Sequence, residues 1–493
     1  MIIVYTDKEK YFYDIHSLVK SFYPEEDVLV FVKGTRQIPE DANVILTIDM
    51  TLSWDEGHID ADFIWDGRAA KSFSMDCIRE SEACSADMTD SPKNVLKRLL
   101  YTVLNEETGK DLPWGTLTGI RPVKIAMHRL LGGDSDIQIR DYMKKTYICS
   151  DEKTDLSIEI AHRENRLLEG TTDGKGYSLY VNIPFCPTRC AYCSFMSSPI
   201  GLWKGKVDDY LDCIKKEIDE TAPLFKDKRL DSIYIGGGTP TTLEPYQLEK
   251  LIGWIKDSYD TSYSREFTIE SGRPDSITMD KLKVMKNGGV TRISVNPQTM
   301  RDRTLELIGR HHSVQQTIDS FYMAREAGFD HINMDIILGL PGEELSDVQY
   351  TMDEIAKLRP DELTVHSLAI KRASRLYDYV ADHGLAGMDT TSAMMKVAED
   401  GARSMGLGPY YLYRQKNISG NFENTGYGRG DKMCLYNIIT MEETQSILAL
   451  GSGSVSKRIF EGSRIERKGN PKDVKLYMEN TSSDPSVMRD FFS

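Results

Sequence analysis

The sequence predicts an α/β protein whose centre is a parallel sheet, open or curled into a partial barrel. A smaller α/β module precedes it and an α+β extension follows. Three observations lead there. From residue 177 onward, candidate strands alternate with helical stretches. A turn-rich "TTDGKG" at 171–176 separates this region from a differently patterned start. Nearly every unusual polar or glycine feature falls just after a predicted strand, where such folds build their ligand sites.

Taken in order, "MIIVYT", "VLVFVK" and "NVILTID" are short apolar runs around a predicted helix at about 8–22. "SPKNVLKRLLYTVLNEETG" places apolar residues at helical spacing, with Ser91 and Pro92 as start signals. "SDEKTDLSIEIAHRENRLLEG" is a second helix, stopped by Gly170. Three segments follow from this: an N-terminal α/β and helical domain at 1–172, a βα domain at 173–375, and a C-terminal substrate-closing extension at 376–493. Within the second, "YSLYVNI", "DSIYIG", "EFTIE", "RISVN", "INMDIIL" and "LTVHSL" are the strands. "VDDYLDCIKKEIDETAPLF", "EPYQLEKLIGWIKDSY" and "LSDVQYTMDEIAKL" are among the helices between them.

The carboxyl ends of those strands form a series. A cysteine loop follows the first strand, and "GGGTP" the second. Glu270 ends the third, and Gln298 follows the fourth. Asp335 and "GLPGE" close the fifth, while His366 and Ala369 close the sixth. One shared edge implies one site.

Composition narrows the chemistry. The 493 residues carry a formal net charge of −15, which gives nucleic-acid binding no electrostatic support. The opening apolar run is too short for a signal peptide, and no stretch approaches a membrane span. The expectation is a cytoplasmic protein. Eight cysteines are too sparse for a disulfide framework, so thiolate ligation is the natural use of the clustered ones.

"YVNIPFCPTRCAYCSF" puts Cys186, Cys190 and Cys193 in one short loop. Soft thiolates select zinc, copper(I) or iron–sulfur clusters. A closed zinc site needs a fourth ligand, yet no histidine lies between His162 and His311, and Cys213 sits in an amphipathic helix. Three cysteines can instead hold three irons of a 4Fe–4S cluster and leave the fourth open for chemistry. Buried free thiols or zinc are the alternatives. In "YIGGGTPTTL" the glycines allow close backbone approach, but the pattern matches neither phosphate-binding nor dinucleotide-binding loops.

The C-x-x-x-C-x-x-C spacing, with an aromatic before the last Cys, resembles the radical S-adenosylmethionine superfamily. Together with "IGGGTPT", "SVNPQT", "IGRHH" and "NMDIILGLPGE", it resembles the oxygen-independent coproporphyrinogen III oxidase family over about 177–370. "LPWGTLTGIRPVK" and "YYLYRQKNISGNFENTGY" extend the likeness to the longer HemZ-type branch. The resemblance implies a partial (β/α)6 barrel, a 4Fe–4S cluster on Cys186, Cys190 and Cys193, and S-adenosylmethionine beside it. It further implies that Tyr180 touches S-adenosylmethionine, that Tyr192 packs on its adenine, and that Gly237, Gly238 and Thr239 line it. Glu270 is expected to bind its polar groups, with Gln298, Arg310, Asp335 and Ala369 at further cofactor positions. Taken singly, Glu270 or Asp335 reads as a cap or surface carboxylate, and Arg310 as a solvated charge.

The implied reaction takes hydrogen from a propionate with a 5′-deoxyadenosyl radical and releases carbon dioxide, leaving a vinyl group. Two propionates of coproporphyrinogen III react in turn to give protoporphyrinogen IX. An electron donor protein such as flavodoxin or ferredoxin reduces the cluster. The tetrapyrrole carries four carboxylates, which makes Lys371, Arg372, Arg375, Arg414 and Lys416 candidate contacts. Tyr411 and Tyr413 are candidates to pack on the macrocycle, and Gly451 and Gly453 are expected close-approach points. Two positions depart from the family pattern. Asn182 stands where many members have His, and Phe195 where well-characterised oxidases carry a fourth cysteine. A haem-binding chaperone and a radical methyltransferase acting on a porphyrin are the alternatives on the same scaffold.

Overall fold

The computed structural model describes residues 1–35, 42–53, 55–79, 88–119, 121–171, 174–195, 197–370, 374–377, 390–414, 422–460, 464–484 and 486–493. It divides into two compact units, Met1–His162 with Arg414–Phe422, and Arg163–Tyr413 with Glu423–Ser493.

The first unit contains a five-stranded sheet of β1 (Ile2–Thr6), β2 (Val28–Val32), β3 (Leu46–Ser53), β4 (His58–Trp65) and β5 (Lys71–Asp76), ordered β2-β1-β3-β4-β5. β1 runs parallel to β2 and β3, as a helical crossover requires, and β4 and β5 add antiparallel. The expected first helix is Phe12–Phe22, because Glu9–Tyr11 form a single tight turn before it. Its Ile15, Leu18, Val19 and Phe22 share a core with Leu96, Leu99, Leu100 and Val103 of helix Pro92–Thr108. β4 went unpredicted, although Ile59, Ala61, Phe63 and Trp65 alternate inward with period two. Helices Val123–Leu131 and Asp136–Tyr147 also went unpredicted, the second opened by a reciprocal Ser135–Gln138 cap.

The second unit is built on an eleven-stranded sheet. Its parallel strands are β6 (Gly176–Ile183), β9 (Arg229–Gly237), β10 (Glu266–Ile269), β11 (Arg292–Ser294), β12 (Ile332–Leu338) and β13 (Glu362–Ser367). A short ladder of β7 (Phe185–Cys186) and β8 (Ser198–Pro199) stands apart. The six parallel strands match the six predicted, in chain order across the sheet. A further parallel strand, β16 (Ser446–Leu450), pairs with β6. β14 (Gly408–Tyr413) and β15 (Asn424–Gly428) close the β13 edge antiparallel, while β17 (Val455–Ile459) and β18 (Ile465–Gly469) close the other. Segments far apart in sequence therefore finish both edges of one partial barrel.

Register sorts the strand residues into two faces. Leu179, Val181, Ile233, Ile235, Phe267, Ile269, Ile293, Met334, Leu363 and Val365 lie in register on one face, and all are buried. The helices that follow the strands carry matching stripes, such as Leu211, Ile214 and Ile218 or Leu248, Leu251 and Ile255. Each such side chain contributes about 2 kcal/mol by leaving water. The other face is polar: Tyr180, Asn182, Tyr234, Glu266, Thr268, Arg292, Ser294, Asn333, Asp335, Glu362, Thr364 and His366. A parallel strand covered on both sides by hydrocarbon would not alternate this way. The alternation marks a barrel whose interior is chemical.

Candidate active site

Three thiols meet at the top of β6. The β7–β8 ladder ties the ends of their loop together, helped by the Ser198 amide donating to the Pro184 carbonyl at 2.8 Å. Inside it, the Cys193 amide closes a turn on the Cys190 carbonyl at 3.2 Å, and the Ala191 amide reaches Ile308 at 2.9 Å. Cys190 is buried, and Cys186 and Cys193 are partly so. Burial raises the Cys186 thiol and lifts Cys193 to about 11, and the neighbouring thiols of the loop push these two further the same way. A cationic centre reverses that balance. Among the described residues no group of three or more His, Cys, Asp or Glu gathers around a point suited to one metal ion. A cluster instead gives each thiolate its own iron.

The glycine strip after β9 lies against this loop. Gly237 has φ +107°, and a Cβ there would stand 2.0 Å from Asn182 Oδ1. At Gly238 a Cβ would stand 2.5 Å from the Phe185 carbonyl oxygen. These glycines thus first admit the neighbouring strand, which brings the loop and strip together. The Thr239 amide donates to Phe185 at 2.7 Å, and its hydroxyl to Cys186 Sγ at 3.5 Å. Asn182 accepts from the Tyr180 hydroxyl at 3.0 Å and donates to the Ser452 carbonyl at 2.6 Å. The Tyr180 ring lies nearly parallel to those of Tyr234 and Tyr436, with centroids 6.1 and 5.9 Å away.

Across the barrel, Glu270 accepts from the Tyr234 hydroxyl at 2.5 Å. Burial, with a smaller push from Asp335, raises its carboxyl to about 7. Asp335 is partly buried, but His366 and Asn333 outweigh that desolvation and hold it below the usual carboxylate range. It accepts from Asn296 Nδ2 at 2.6 Å and Asn333 Nδ2 at 2.7 Å. Gln298 occupies the left-handed region at φ +68°, pinned between the Asp335 carbonyl and the Ile337 amide, each at 2.9 Å. Its Oε1 and Asn296 Oδ1 are buried without a hydrogen-bond partner among the described residues. Arg310 reaches back from its loop to the Gly272 carbonyl at 2.7 Å, the Asn296 carbonyl at 2.8 Å and the Tyr192 hydroxyl at 2.9 Å.

Most sequence candidates therefore share one edge, with corrections. Asp335 lies in the middle of β12 and reaches the site from within the barrel, instead of closing the strand. Arg310 is a buried brace, not a solvated charge, and Tyr192 packs beside Leu305, Ile308 and Leu368. Ala369 follows β13 and is partly buried. Arg414 is no open cation: it is 4% exposed, donates to the Leu117 carbonyl and faces the Trp114 ring at 5.9 Å within the first unit. Tyr411 is buried in a cluster with Tyr234 and Cys434, so it has no free face for a macrocycle. Arg375 is exposed, and Lys371, Arg372 and Lys416 fall outside the described residues. Gly451 is a close-approach point, where a Cβ would meet the Asn182 carbonyl oxygen at 2.6 Å; Gly453 has 3.7 Å of room. Tyr234, Asn296, Tyr436 and Arg273 went unnoticed. Period-two spacing from Gly236 would have found the first, and nothing local marks the others.

The donor set fits an iron–sulfur centre with an adenosyl ligand: three clustered thiols, a side-chain-free strip and two orphaned amide oxygens. The family model for the radical SAM superfamily matches residues 180–355. Over 405 residues the chain is 40% identical to the oxygen-independent coproporphyrinogen-III oxidase-like protein HemZ of Bacillus subtilis, covering 80% of this chain and 81% of that one. It is 37% identical over 205 residues to the heme chaperone HemW of the same organism, covering 41% of this chain and about half, 52%, of that relative. The solved structure of coproporphyrinogen III oxidase (HemN) from Escherichia coli superposes with a TM-score of 0.52 at 22% identity, covering 65% of this chain and 72% of that chain, a likeness of fold. The superfamily uses a 4Fe–4S cluster and S-adenosylmethionine. By this match in sequence, fold and donor set, the chain belongs to the HemZ-type, coproporphyrinogen-III oxidase-like family of radical SAM enzymes.

Proposed function

We propose that this enzyme oxidatively decarboxylates two propionates of coproporphyrinogen III to vinyl groups, using a 4Fe–4S cluster held by Cys186, Cys190 and Cys193. The carrying observation is the convergence of the three-thiol loop, Tyr180, Gly237, Gly238, Glu270, Gln298 and Asp335 on one end of a polar barrel interior. The names of the relatives supply the substrate class. When bound, the cluster and S-adenosylmethionine supply one-electron cleavage of a carbon–sulfur bond and hence a radical able to abstract hydrogen.

The chain's own residues do the rest. Gly237 and Gly238 let backbone groups approach the cofactor, and Thr239 holds Cys186. Gln298 Oε1 and Asn296 Oδ1 offer acceptors that otherwise cost about 1–3 kcal/mol each when left unpaired. Glu270 and Asp335 provide carboxylates for the cofactor's hydroxyl and amino donors. Arg310 braces the loops after β10 and β11 and orients Tyr192. Stacked Tyr180, Tyr234 and Tyr436 fill the barrel beneath the site and exclude water there.

The test is anaerobic turnover of the reconstituted enzyme with dithionite, S-adenosylmethionine and coproporphyrinogen III. Two decarboxylations matched by two 5′-deoxyadenosines are expected, with Cys190→Ala abolishing both. Deoxyadenosine without a change in tetrapyrrole mass refutes the substrate. Stable haem binding in that case transfers the assignment to the chaperone reading, which is favoured by Phe195 at the position of the oxidases' extra cysteine. A methylated porphyrin transfers it to methyl transfer.

A further inference from the structure

We propose that Arg273 is a positioning residue for the iron–sulfur centre, donating to the Cys190 sulfur and thereby setting the potential at which the cluster takes up an electron. This rests on ligation by the three cysteines. Arg273 follows β10 in "ESGRPDS", and its side chain is 4% exposed. Its guanidinium has five N–H groups, and five acceptors meet them. Nε donates to Asp275 Oδ1 at 2.9 Å and Nη2 to Asp275 Oδ2 at 2.7 Å. Nη2 also donates to Thr188 Oγ1 at 3.2 Å, and Nη1 to the Thr188 carbonyl at 3.1 Å. The remaining Nη1 hydrogen points at Cys190 Sγ, 3.7 Å away.

A surface arginine does not hold one pose this way. The planar fork is fixed by a bidentate carboxylate on one side and aimed at the loop on the other. The backbone is fixed as well, because the Ser276 amide and hydroxyl both donate to the Arg273 carbonyl, at 2.9 and 2.7 Å. Cluster potentials respond to hydrogen bonds on their sulfurs and to nearby charge. One-electron reduction adds negative charge to the cluster, and a cation donating to a ligand sulfur stabilises that state. Arg273 thus makes the cluster easier to reduce. Thr239, a neutral donor on Cys186, acts in the same direction with less force.

The experiment compares wild type, Arg273→Met and Arg273→Lys after anaerobic reconstitution. Iron and sulfide per chain are measured first, then the midpoint potential by mediator titration followed by EPR. Arg273→Met is expected to titrate at a more negative potential than wild type, with Arg273→Lys between them. An unchanged midpoint in a loaded variant overturns the proposal. Failure of both variants to load while wild type loads also overturns it, leaving Arg273 as a loop anchor only. No cluster in wild type would instead remove the cysteine-ligand reading beneath it.

Discussion

Glu270 gives the sharpest quantitative expectation. Its carboxyl, ordinarily at 4.5, is raised to about 7 by burial. Only the ionised form offers all its lone pairs to a cofactor, because Oε1 is already taken by the Tyr234 hydroxyl at 2.5 Å. If binding selects the carboxylate, apparent affinity falls by the fraction ionised: about twofold at pH 7 and about tenfold at pH 6, relative to a plateau above pH 8. The sign for stability is opposite. A folded pKa above the unfolded value means protonated Glu270 favours folding below about pH 4.5, and this contribution is lost as pH rises through about 7. The assay is anaerobic calorimetry of S-adenosylmethionine binding between pH 5.5 and 8.5 in two buffers of different ionisation enthalpy. Proton release near neutrality is expected for wild type. Glu270→Gln keeps the titration of the cofactor's own amino group and loses this component. Affinity equally pH-dependent in wild type and Glu270→Gln refutes the assignment.

Other positions yield further outcomes. Gly237→Ala combines a φ of +107° with a Cβ 2.0 Å from Asn182 Oδ1, itself bonded to Tyr180; strain and overpacking together cost about 2–6 kcal/mol, read as a lower urea midpoint at unchanged slope. Gln298→Gly removes a left-handed non-glycine and an orphaned buried oxygen, so stability should stay within about 1 kcal/mol, while S-adenosylmethionine affinity drops about three- to tenfold in equilibrium titration. Glu217→Leu strips the acceptor from the Gly451 amide and the Tyr477 hydroxyl, while Asn470 Nδ2 keeps the Gly451 carbonyl; at about 1–3 kcal/mol each the loss is at least about 2 kcal/mol, visible by thermal melting.

The six parallel strands were legible because each is a short apolar-rich run closed by a polar or glycine feature, and the register then puts those features together. Locally coded caps were legible too, as at Ser91 and Pro92. Partnership was not. β16 drew no strand expectation, its segment being read only for Gly451 and Gly453, and its pairing from Ser446↔Tyr177 to Leu450↔Val181 makes it a strand beside β6. A contact across some 270 residues leaves no mark in either segment. The partners of Arg310 were illegible for the same reason: "IGRHH" shows an arginine, while its acceptors at Gly272 and Asn296 come from other loops. Arg414 misled because a basic residue between tyrosines looks exposed in sequence, and burial against Trp114 is decided by the fold.

The polar face of the sheet also explains how one barrel carries a reactive centre without losing stability. Along each strand its residues change character from bottom to top. At the amino ends Arg292 donates to Glu362 at 2.7 Å, and Glu266 accepts from the Leu435 amide at 2.6 Å. These charges are fully buried and compensated, so removing one partner alone would cost about 3–5 kcal/mol. Tyr234, in register with Arg292 through Thr268, stacks with Tyr180 and Tyr436 at centroid distances of 4.6–6.1 Å. Toward the carboxyl ends Asp335 is still compensated by Asn296 and Asn333, while Glu270 has a raised pKa and Gln298 and Asn296 keep unpaired oxygens. Asn296 donates to Asp335 and the Gln298 amide donates to the Asp335 carbonyl, so both unpaired oxygens belong to residues held against Asp335, and a ligand's donors would satisfy them. On the proposed reading, those two acceptors and Glu270 are where the cofactor's donors are received.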